Sequence, residues 1–323
     1  MTDPADSEPT RVFGPPATAT PLPGAQVSAS FARLGRGSLI GGRFRLEEEL
    51  RSSAHAAVWS AHDLLDGRDV TLKLQPQLGA EEVARLRRGE QVLLGLHHPS
   101  LLEVVSLGEE RGVEYLATRG YPGARDLEQV AAERGPVPSA EALPWVIGVL
   151  EGLSLLHGRG VVHRDVKPAN VLLTREGGTV LIDFDLAKPV SNAADSGVFD
   201  LEALLLNAGE THAGLPGTPV YMSRERLGGE PAAPADDVFA AALTVYRLVS
   251  GHLPSDHGAP PTNLEALRAA RLRHVPLETW GVAAPAALEQ VLARALSAEV
   301  SRRYPSAVAL GDALNGLLLG DRW

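Results

Sequence analysis

The chain has 323 residues, with 40 acidic and 30 basic side chains and a formal net charge of −10, and its basic residues form no cluster dense enough to suggest nucleic-acid binding. Cysteine is absent, which excludes disulfides and thiolate zinc sites and is consistent with the cytoplasmic location that we expect. The polar, acidic N-terminus does not look like a secretion signal, and no apolar run approaches the ~18 residues of a membrane span, so we expect no membrane partner.

The first third of the chain changes from a polar tail to a strand-rich region. Residues 1–41 are rich in Pro, Ala, Thr, Ser and Gly with little periodicity, which predicts a disordered tail. The patterns that follow predict three strands, one helix and a further strand region: 43–50, 56–63, 69–75, 81–96 and 101–120. This order indicates a small sheet accompanied by one helix.

After Pro122 the chain is predicted to be mostly helical. Pro144 suits the first turn of a helix, and apolar residues then recur at helical spacing up to Leu156. A second apolar helix is predicted within 235–254.

Between these two helices lies the stretch VVHRDVKPAN, residues 161–170. Two short apolar runs follow it, at 171–173 and 179–182, and the intervening TREGG is a turn signal. Antiparallel pairing of these runs would bring Asn170 and Asp183 together at the open end of a hairpin. Two oxygen ligands at one point suit a hard cation such as Mg²⁺.

The order H-R-D, four residues, N, and then D-F resembles the catalytic loop and metal-binding segment of protein kinases, here of the bacterial serine/threonine type. The resemblance implies an α+β, bilobal fold in a kinase domain over 42–320, with a β-rich N-lobe (42–121) and a mainly helical C-lobe (122–320). It also implies ATP as the phosphoryl donor, Mg²⁺ or Mn²⁺ as the metal, and Ser or Thr of proteins as the acceptor.

Catalytic and phosphate-binding roles follow from the resemblance, residue by residue. Asp165 would accept the proton of the acceptor hydroxyl and Lys167 would contact the γ-phosphate, while Asn170 and Asp183 would hold the metal. Lys73, in the strand-like run DVTLKLQ, would contact the α- and β-phosphates. The chain has only three lysines, and two of them stand at family-expected positions, where arginine is not an equivalent cation.

The resemblance also assigns the rest of the nucleotide site. Thr118 takes the gatekeeper position and Tyr121 belongs to the hinge against which adenine packs. The phosphate-covering loop falls on RSSAHAAV, residues 51–58. Its predicted nucleotide contacts are Arg51, Ser53, Ala56 and Val58.

A second set of matches concerns the side that receives the protein substrate. GTPVYMSRE, residues 217–225, resembles the end of the activation segment and places Thr218 in the substrate-receiving loop. The resemblance implies an ion pair between Glu225 and Arg303, and it implies that Asp237 anchors the backbone of the catalytic loop. These matches separate the chain from small-molecule phosphotransferases on the same fold.

The sequence departs from the family pattern around the nucleotide. All three glycines of the phosphate-covering loop are replaced, which predicts weaker or slower nucleotide binding. The glutamate expected to pair with Lys73 falls on Gly89, leaving Glu90, Glu81 and Glu82 as alternatives. Asp185 stands where glycine usually follows Asp-Phe.

Two hypotheses from different classes therefore remain. The first is an active serine/threonine kinase with an atypical nucleotide loop. The second is a pseudokinase, a scaffold or nucleotide sensor without transfer. We favour the first, because the base, the loop lysine, both metal ligands and the strand lysine are all retained. Dimerisation through the N-lobe is left open.

Overall fold

Six strands form one antiparallel sheet in the N-terminal part of the computed structural model, which describes residues 34–52, 56–76, 93–184, 186–189, 219–258 and 261–320. Ser53, Asp185, Thr218 and most of residues 1–41 and 81–96 lie outside these ranges. The spatial order is β1-β2-β3-β4-β6-β5. The strands are β1 (Leu39–Ile40), β2 (Phe44–Ser52), β3 (Ala57–Asp63), β4 (Asp69–Pro76), β5 (Val104–Glu110) and β6 (Val113–Arg119).

The alternating pattern of the sequence decides which face of this sheet is buried. Every second residue of β3 is buried, from Ala57 to Asp63, as the two-residue period of a strand requires. Phe44 and Leu72 complete the apolar core on the same sheet. The predicted strands are confirmed, although β5 begins at Val104 and not at Leu101. Strand β1 was not predicted: it lies within residues 1–41, which were expected to be disordered, and it is ordered because it pairs with β2 and buries Ile40. Residues 93–95 form a turn, so the predicted helix does not reach Leu96.

Helices dominate the C-terminal part, with short strands between them. The helices are α1 (Leu127–Arg134), α2 (Ser139–Gly158), α3 (Arg224–Leu227), α4 (Pro234–Ser250), α5 (Leu264–Ala270), α6 (Ala286–Ala295) and α7 (Ala307–Leu319). The strands are β7 (Arg125–Asp126), β8 (Val161–Val162), β9 (Val171–Leu173), β10 (Thr179–Leu181) and β11 (Lys188–Pro189). A β-rich N-lobe and a helical C-lobe confirm the predicted α+β, bilobal fold.

Helix α2 begins earlier than predicted. It starts at Ser139, so Pro144 lies inside the helix and not in its first turn. A proline there removes one backbone hydrogen bond, but nine buried residues of α2 pack in the core and outweigh that loss. In the described part of the chain α2 is long and apolar enough to cross a membrane, a property that buried core helices share.

Helix α4 lies at the centre of the C-lobe and positions the catalytic loop. Of its 17 residues, 13 are buried, and it packs against α2, α6 and α7. A helix buried nearly all round normally lacks charges. Asp237, in the first turn of α4, is nevertheless 1% exposed, so its carboxylate needs hydrogen-bond donors from neighbouring elements.

Candidate active site

The hairpin predicted after the H-R-D sequence is present. Strands β9 and β10 pair antiparallel, with Val171 opposite Leu181 and Leu173 opposite Thr179. The backbone N–H of Ile182 donates to the carbonyl of Asn170 at 2.9 Å, which extends the pairing by one step. Asp183 follows immediately. The two predicted metal ligands therefore stand at the same open end of the hairpin.

The two carboxylate oxygens of Asp165 differ in their hydrogen bonds. Its Oδ2 accepts hydrogen bonds from Lys167 Nζ at 2.7 Å and Asn170 Nδ2 at 2.8 Å. Its Oδ1 is buried and accepts no hydrogen bond from any residue that the structure describes. Buried carboxylate oxygens without a donor are rare because desolvation is costly. Oδ1 is thus a buried acceptor that no donor among the described residues satisfies.

Asn170 and Asp183 present oxygen atoms that suit a hard cation. Both amide hydrogens of Asn170 face acceptors, the carbonyl and Oδ2 of Asp165, which leaves Asn170 Oδ1 as an available acceptor. Asp183 is exposed and has φ 66°, a left-handed conformation that aspartate tolerates better than most residues. Two protein oxygens are a sufficient set for Mg²⁺, which keeps waters and substrate phosphates as its other ligands. The described residues contain no cluster of three or more His, Asp or Glu that would form an all-protein metal site.

His163 connects the two halves of the site, a role that the sequence analysis did not assign. Its Nδ1 accepts from the backbone N–H of Asp165 at 3.3 Å, and its Nε2 lies 3.2 Å from the carbonyl of Ile182. A neutral imidazole accepts at one nitrogen and donates from the other, so these contacts select one tautomer. The ring also packs edge-to-face on Phe184, with centroids 4.6 Å apart. The position of His163 as the first residue of the H-R-D motif was the feature of the sequence that could have predicted this role.

Asp237 anchors the catalytic loop, as the family resemblance implied. Its Oδ2 accepts from the backbone N–H of His163 and its Oδ1 from that of Arg164, each at 2.8 Å. Arg164 has φ 73°, an unfavourable conformation for a non-glycine residue at a cost of about 1 kcal/mol. These two hydrogen bonds hold the backbone in that conformation. The loop geometry is therefore fixed from α4.

Residues predicted to contact the nucleotide occupy one row across three strands. Arg51 in β2 lies opposite Val58 in β3, and Val58 lies opposite Lys73 in β4. Directly opposite residues of antiparallel strands point to the same face, so these three side chains share a face of the sheet. Ala56 comes just before β3. Residues 77–92, which include every acid considered as the partner of Lys73, lie outside the described ranges.

The segment between the lobes, residues 118–121, is hydrogen-bonded to β4. Thr118 is buried and its Oγ1 donates to the carbonyl of Thr71 at 3.3 Å. The N–H of Gly120 donates to the carbonyl of Asp69 at 3.0 Å, and a Cβ at Gly120 would lie 2.9 Å from the backbone of Asp69. Only glycine fits this approach. Tyr121 follows, half-buried, and burial raises the pKa of its phenol.

A charge of the N-lobe, on Arg51, interacts with a carboxylate of the C-lobe, on Asp126. Asp126 caps α1 by accepting from the backbone N–H of Gln129 at 2.7 Å. Burial raises the pKa of the Asp126 carboxyl, while the Gln129 N–H and the positive charge of Arg51 act in the opposite direction. Arg51 thus interacts electrostatically with the C-lobe. It stands where the family pattern has the first glycine of the loop.

A cavity of about 790 Å³ lies beside the hinge and does not include the residues around Asp165. Its lining includes His98, Arg119, Tyr121 and Arg175, but neither Asp165 nor Lys73. A smaller pocket instead borders Asp165 together with residues of the 219–223 segment. At Asp165 the described residues bring together a carboxylate oxygen without a donor, the Lys167 ammonium and the Asn170 amide.

The ion pair predicted on the substrate side is present. Arg303 contacts Glu225 with two parallel hydrogen bonds, Nη1 to Oε2 at 2.9 Å and Nη2 to Oε1 at 3.2 Å. The Arg303 side chain is 2% exposed and its guanidinium carbon lies 4.7 Å from the ring centroid of Phe239. This pair fixes the start of α3 to the region before α7.

A two-lobed α+β fold with this loop geometry defines the protein kinase class. Residues 44–309 match the family model described as "Protein kinase domain", and the chain belongs to the protein kinase family. The matched segment lies within the predicted domain of 42–320, whose bounds remain a prediction.

The chain is also similar to bacterial proteins named as serine/threonine-protein kinases. It is 31% identical to PksC of Streptomyces coelicolor over 289 residues, and this aligned region covers 85% of this chain and 49% of PksC. It is 31% identical over 289 residues to pkn2 of Myxococcus xanthus, covering 85% of this chain and 32% of pkn2. PrkC of Bacillus subtilis is 25% identical over 279 residues, or 84% of this chain and 40% of PrkC. The chain thus spans about a third to a half of the length of these relatives.

Proposed function

We propose that this chain is a serine/threonine kinase that transfers the γ-phosphoryl group of ATP to hydroxyl groups of protein substrates. The observation that carries the proposal is the buried Oδ1 of Asp165, which lacks a donor among the described residues, in a carboxylate whose other oxygen accepts from the Lys167 ammonium. The similarity to bacterial proteins named as serine/threonine-protein kinases supports the choice of acceptor.

In the proposed reaction Asp165 orients the acceptor and removes its proton. The serine or threonine hydroxyl donates to Oδ1, its oxygen bonds to the γ-phosphorus as the bond to the β-phosphate breaks, and its proton passes to Asp165. Lys167 and Asn170 hold Oδ2, so the carboxylate cannot rotate away from the hydroxyl. The charge of Lys167 offsets the negative charge on the transferred group.

On the donor side, the row of Arg51, Val58 and Lys73 would cover the phosphates of ATP, and Thr118 and Tyr121 would border the adenine. Asn170 Oδ1 and the Asp183 carboxylate would hold Mg²⁺ or Mn²⁺, which when bound neutralises charge on the phosphates. Because Arg51 replaces the first glycine of the phosphate-covering loop, we expect weaker or slower nucleotide binding than a glycine-rich loop would give.

The test is phosphoryl transfer from radiolabelled ATP with Mg²⁺ to the protein itself and to dephosphorylated casein. We would compare wild type, Asp165→Asn, and Asp312→Asn, an exposed aspartate on α7 that serves as the matched control. Asp165→Asn should lose at least ~10³-fold in rate because a carboxamide cannot take the proton. Its thermal shift with MgATP should equal that of wild type.

The same experiment separates the alternatives. A nucleotide-dependent thermal shift without labelling of either acceptor would contradict transfer and favour the pseudokinase, which senses nucleotide. Full labelling by Asp165→Asn would remove the assignment of the base. Loss of labelling in Asp312→Asn as well would attribute the effect to folding, and its unfolding temperature would show this.

A further inference from the structure

Arg271 is a buried arginine that contacts the segment we call the docking loop, residues 219–223. It caps the C-terminal end of α5 and is 5% exposed. Its Nε donates to the carbonyl of Met222 at 3.1 Å, and its Nη2 donates to the carbonyl of Val220. Its guanidinium carbon also lies 5.7 Å from the ring centroid of Phe239.

No carboxylate is hydrogen-bonded to Arg271 within the described ranges, although its charge is buried. Burial lowers the pKa of Arg271 to about 10, and the negative charge of Asp256 opposes this. A buried cation without an ion-pair partner is a weak means of adding stability. The rigid fork of a guanidinium is, however, well suited to holding two acceptors at a fixed separation. The contact is therefore best explained by the position that it gives to the loop.

The docking loop reaches the catalytic aspartate. Tyr221 and Met222 line the small pocket that Asp165 also borders. Arg271 donates to the carbonyls of Val220 and Met222, on either side of Tyr221. The hydroxyl of Ser223, the last residue of the loop, donates to Asp236 Oδ1 at 2.5 Å. The loop is thus fixed to α5 at its centre and to α4 at its end.

Other contacts to this region either lie beyond the docking loop or leave the direction of its carbonyls unset. Glu225 and Arg303 fix the start of α3, which lies beyond the docking loop. Met222 packs with Leu267 of α5, which gives apolar contact but no fixed direction for the carbonyls. The hydrogen bonds to Val220 and Met222 come from Arg271 alone among the described side chains.

We propose that Arg271 is a positioning residue for the protein substrate: it sets the height of the docking loop relative to Asp165, so that an acceptor segment lying on the loop brings its hydroxyl to Oδ1. The inference rests on the proposed kinase function. It assigns to Arg271 an effect on the acceptor and none on the nucleotide, because its contacts lie on the C-lobe side, away from Lys73 and the hinge.

The experiment compares Arg271→Gln and Arg271→Lys with Arg273→Gln, an exposed arginine two residues further on. Kinetics with dephosphorylated casein would give separate KM values for casein and ATP, and hydrolysis of ATP by water would report on the nucleotide site alone. Arg271→Gln should raise the casein KM at least ~5-fold and leave the ATP KM and hydrolysis within ~2-fold. Arg271→Lys should fall between, since one ammonium cannot span both carbonyls.

Hydrogen exchange of the backbone amides provides a readout independent of turnover. In Arg271→Gln the amides of the docking loop should exchange faster, and those of residues 161–166 should not change. Equal effects on both KM values, or behaviour like that of Arg273→Gln, would overturn the inference. If wild type transfers no phosphate, the proposed function fails by itself, and unchanged exchange in the docking loop would then overturn the role of Arg271 separately. Should Arg271→Gln not fold, Arg271→Lys decides by the same two readouts.

Discussion

The ring nitrogen Nε2 of His157 lies 2.8 Å from Oδ2 of Asp237, and their side chains are 10% and 1% exposed. The same carboxylate accepts the backbone N–H groups of His163 and Arg164. One buried acid therefore ties the C-terminal turn of α2, the first turn of α4 and the catalytic loop together. Its three donors offset the cost of burying its charge.

We predict that Asp237→Ala lowers the free energy of unfolding by about 3 kcal/mol, because three donors then lose their charged acceptor. Phosphoryl transfer to casein should also be lost, since Arg164 no longer has support for its left-handed conformation. His157→Gln should have a smaller effect on stability, as both backbone donors remain. Urea denaturation measures both variants, with Asp312→Asn as the control. Equal stability of Asp237→Ala and wild type would contradict the anchoring role.

Gly120→Ala should weaken nucleotide binding by about 10-fold, or about 1.4 kcal/mol. The added Cβ would lie 2.9 Å from backbone atoms of Asp69, and a backbone cannot rotate away as a side chain can. The hinge would move outward from β4, and Tyr121 would move with it. Titration with a fluorescent ATP analogue gives the Kd.

The matched control is Gly178→Ala in the β9–β10 turn, where the nearest atom to a new Cβ is 3.7 Å away. It should bind the analogue like wild type. A Gly120→Ala protein with unchanged Kd would show that the hinge tolerates displacement.

Glu225→Gln should lower the free energy of unfolding by about 3 kcal/mol, because it leaves the buried guanidinium of Arg303 without its counter-charge. Glu141→Gln is the control: its partner Arg134 is exposed, and the loss of a surface pair should be too small to resolve. Thermal and urea denaturation of both variants provide the comparison. Similar losses for the two would mean that burial does not strengthen the Glu225 pair.

Asp63 provides a pH-dependent test of the N-lobe. Its carboxylate is buried and accepts from Arg43 Nε at 2.7 Å and Nη2 at 2.6 Å, and this hydrogen bonding lowers the pKa of Asp63 below its ordinary value of 3.8. Stabilisation from a lowered pKa is present above 3.8 and is lost as pH falls through the folded-state value. Asp63→Asn should therefore cost about 2 kcal/mol at pH 7, and the difference should shrink below about pH 4.

Urea denaturation from pH 7 to pH 3 measures this difference. Glu47→Gln is the control, since its pair with Arg45 is largely exposed and should contribute little at any pH. A pH-independent cost for Asp63→Asn would assign the effect to packing and not to charge.

The fold and the core of the site were predictable because their signals are local. The alternation in β3 and the turn between β9 and β10 follow from neighbouring residues. Asn170 likewise stands only five positions after Asp165 of the H-R-D motif. The start of α2 was predicted wrongly, because a rule for proline at helix ends competed with burial that only packing reveals. The nucleotide loop and the partner of Lys73 stay predictions.

The sequence by itself determined the predicted strand segments of the N-lobe and the hairpin, since each depends on short-range patterning, and the resemblance of the H-R-D motif to the kinase family supplied the residues around Asp165. Tertiary structure alone decided that one oxygen of Asp165 lacks a donor among the described residues, that His157 shares Asp237, and that Arg271 holds the docking loop. Arg271 lies 49 and 51 residues from its two carbonyl partners, and a carbonyl carries no side-chain signal. Contacts between a side chain and a distant backbone become visible only when packing has brought both to one place.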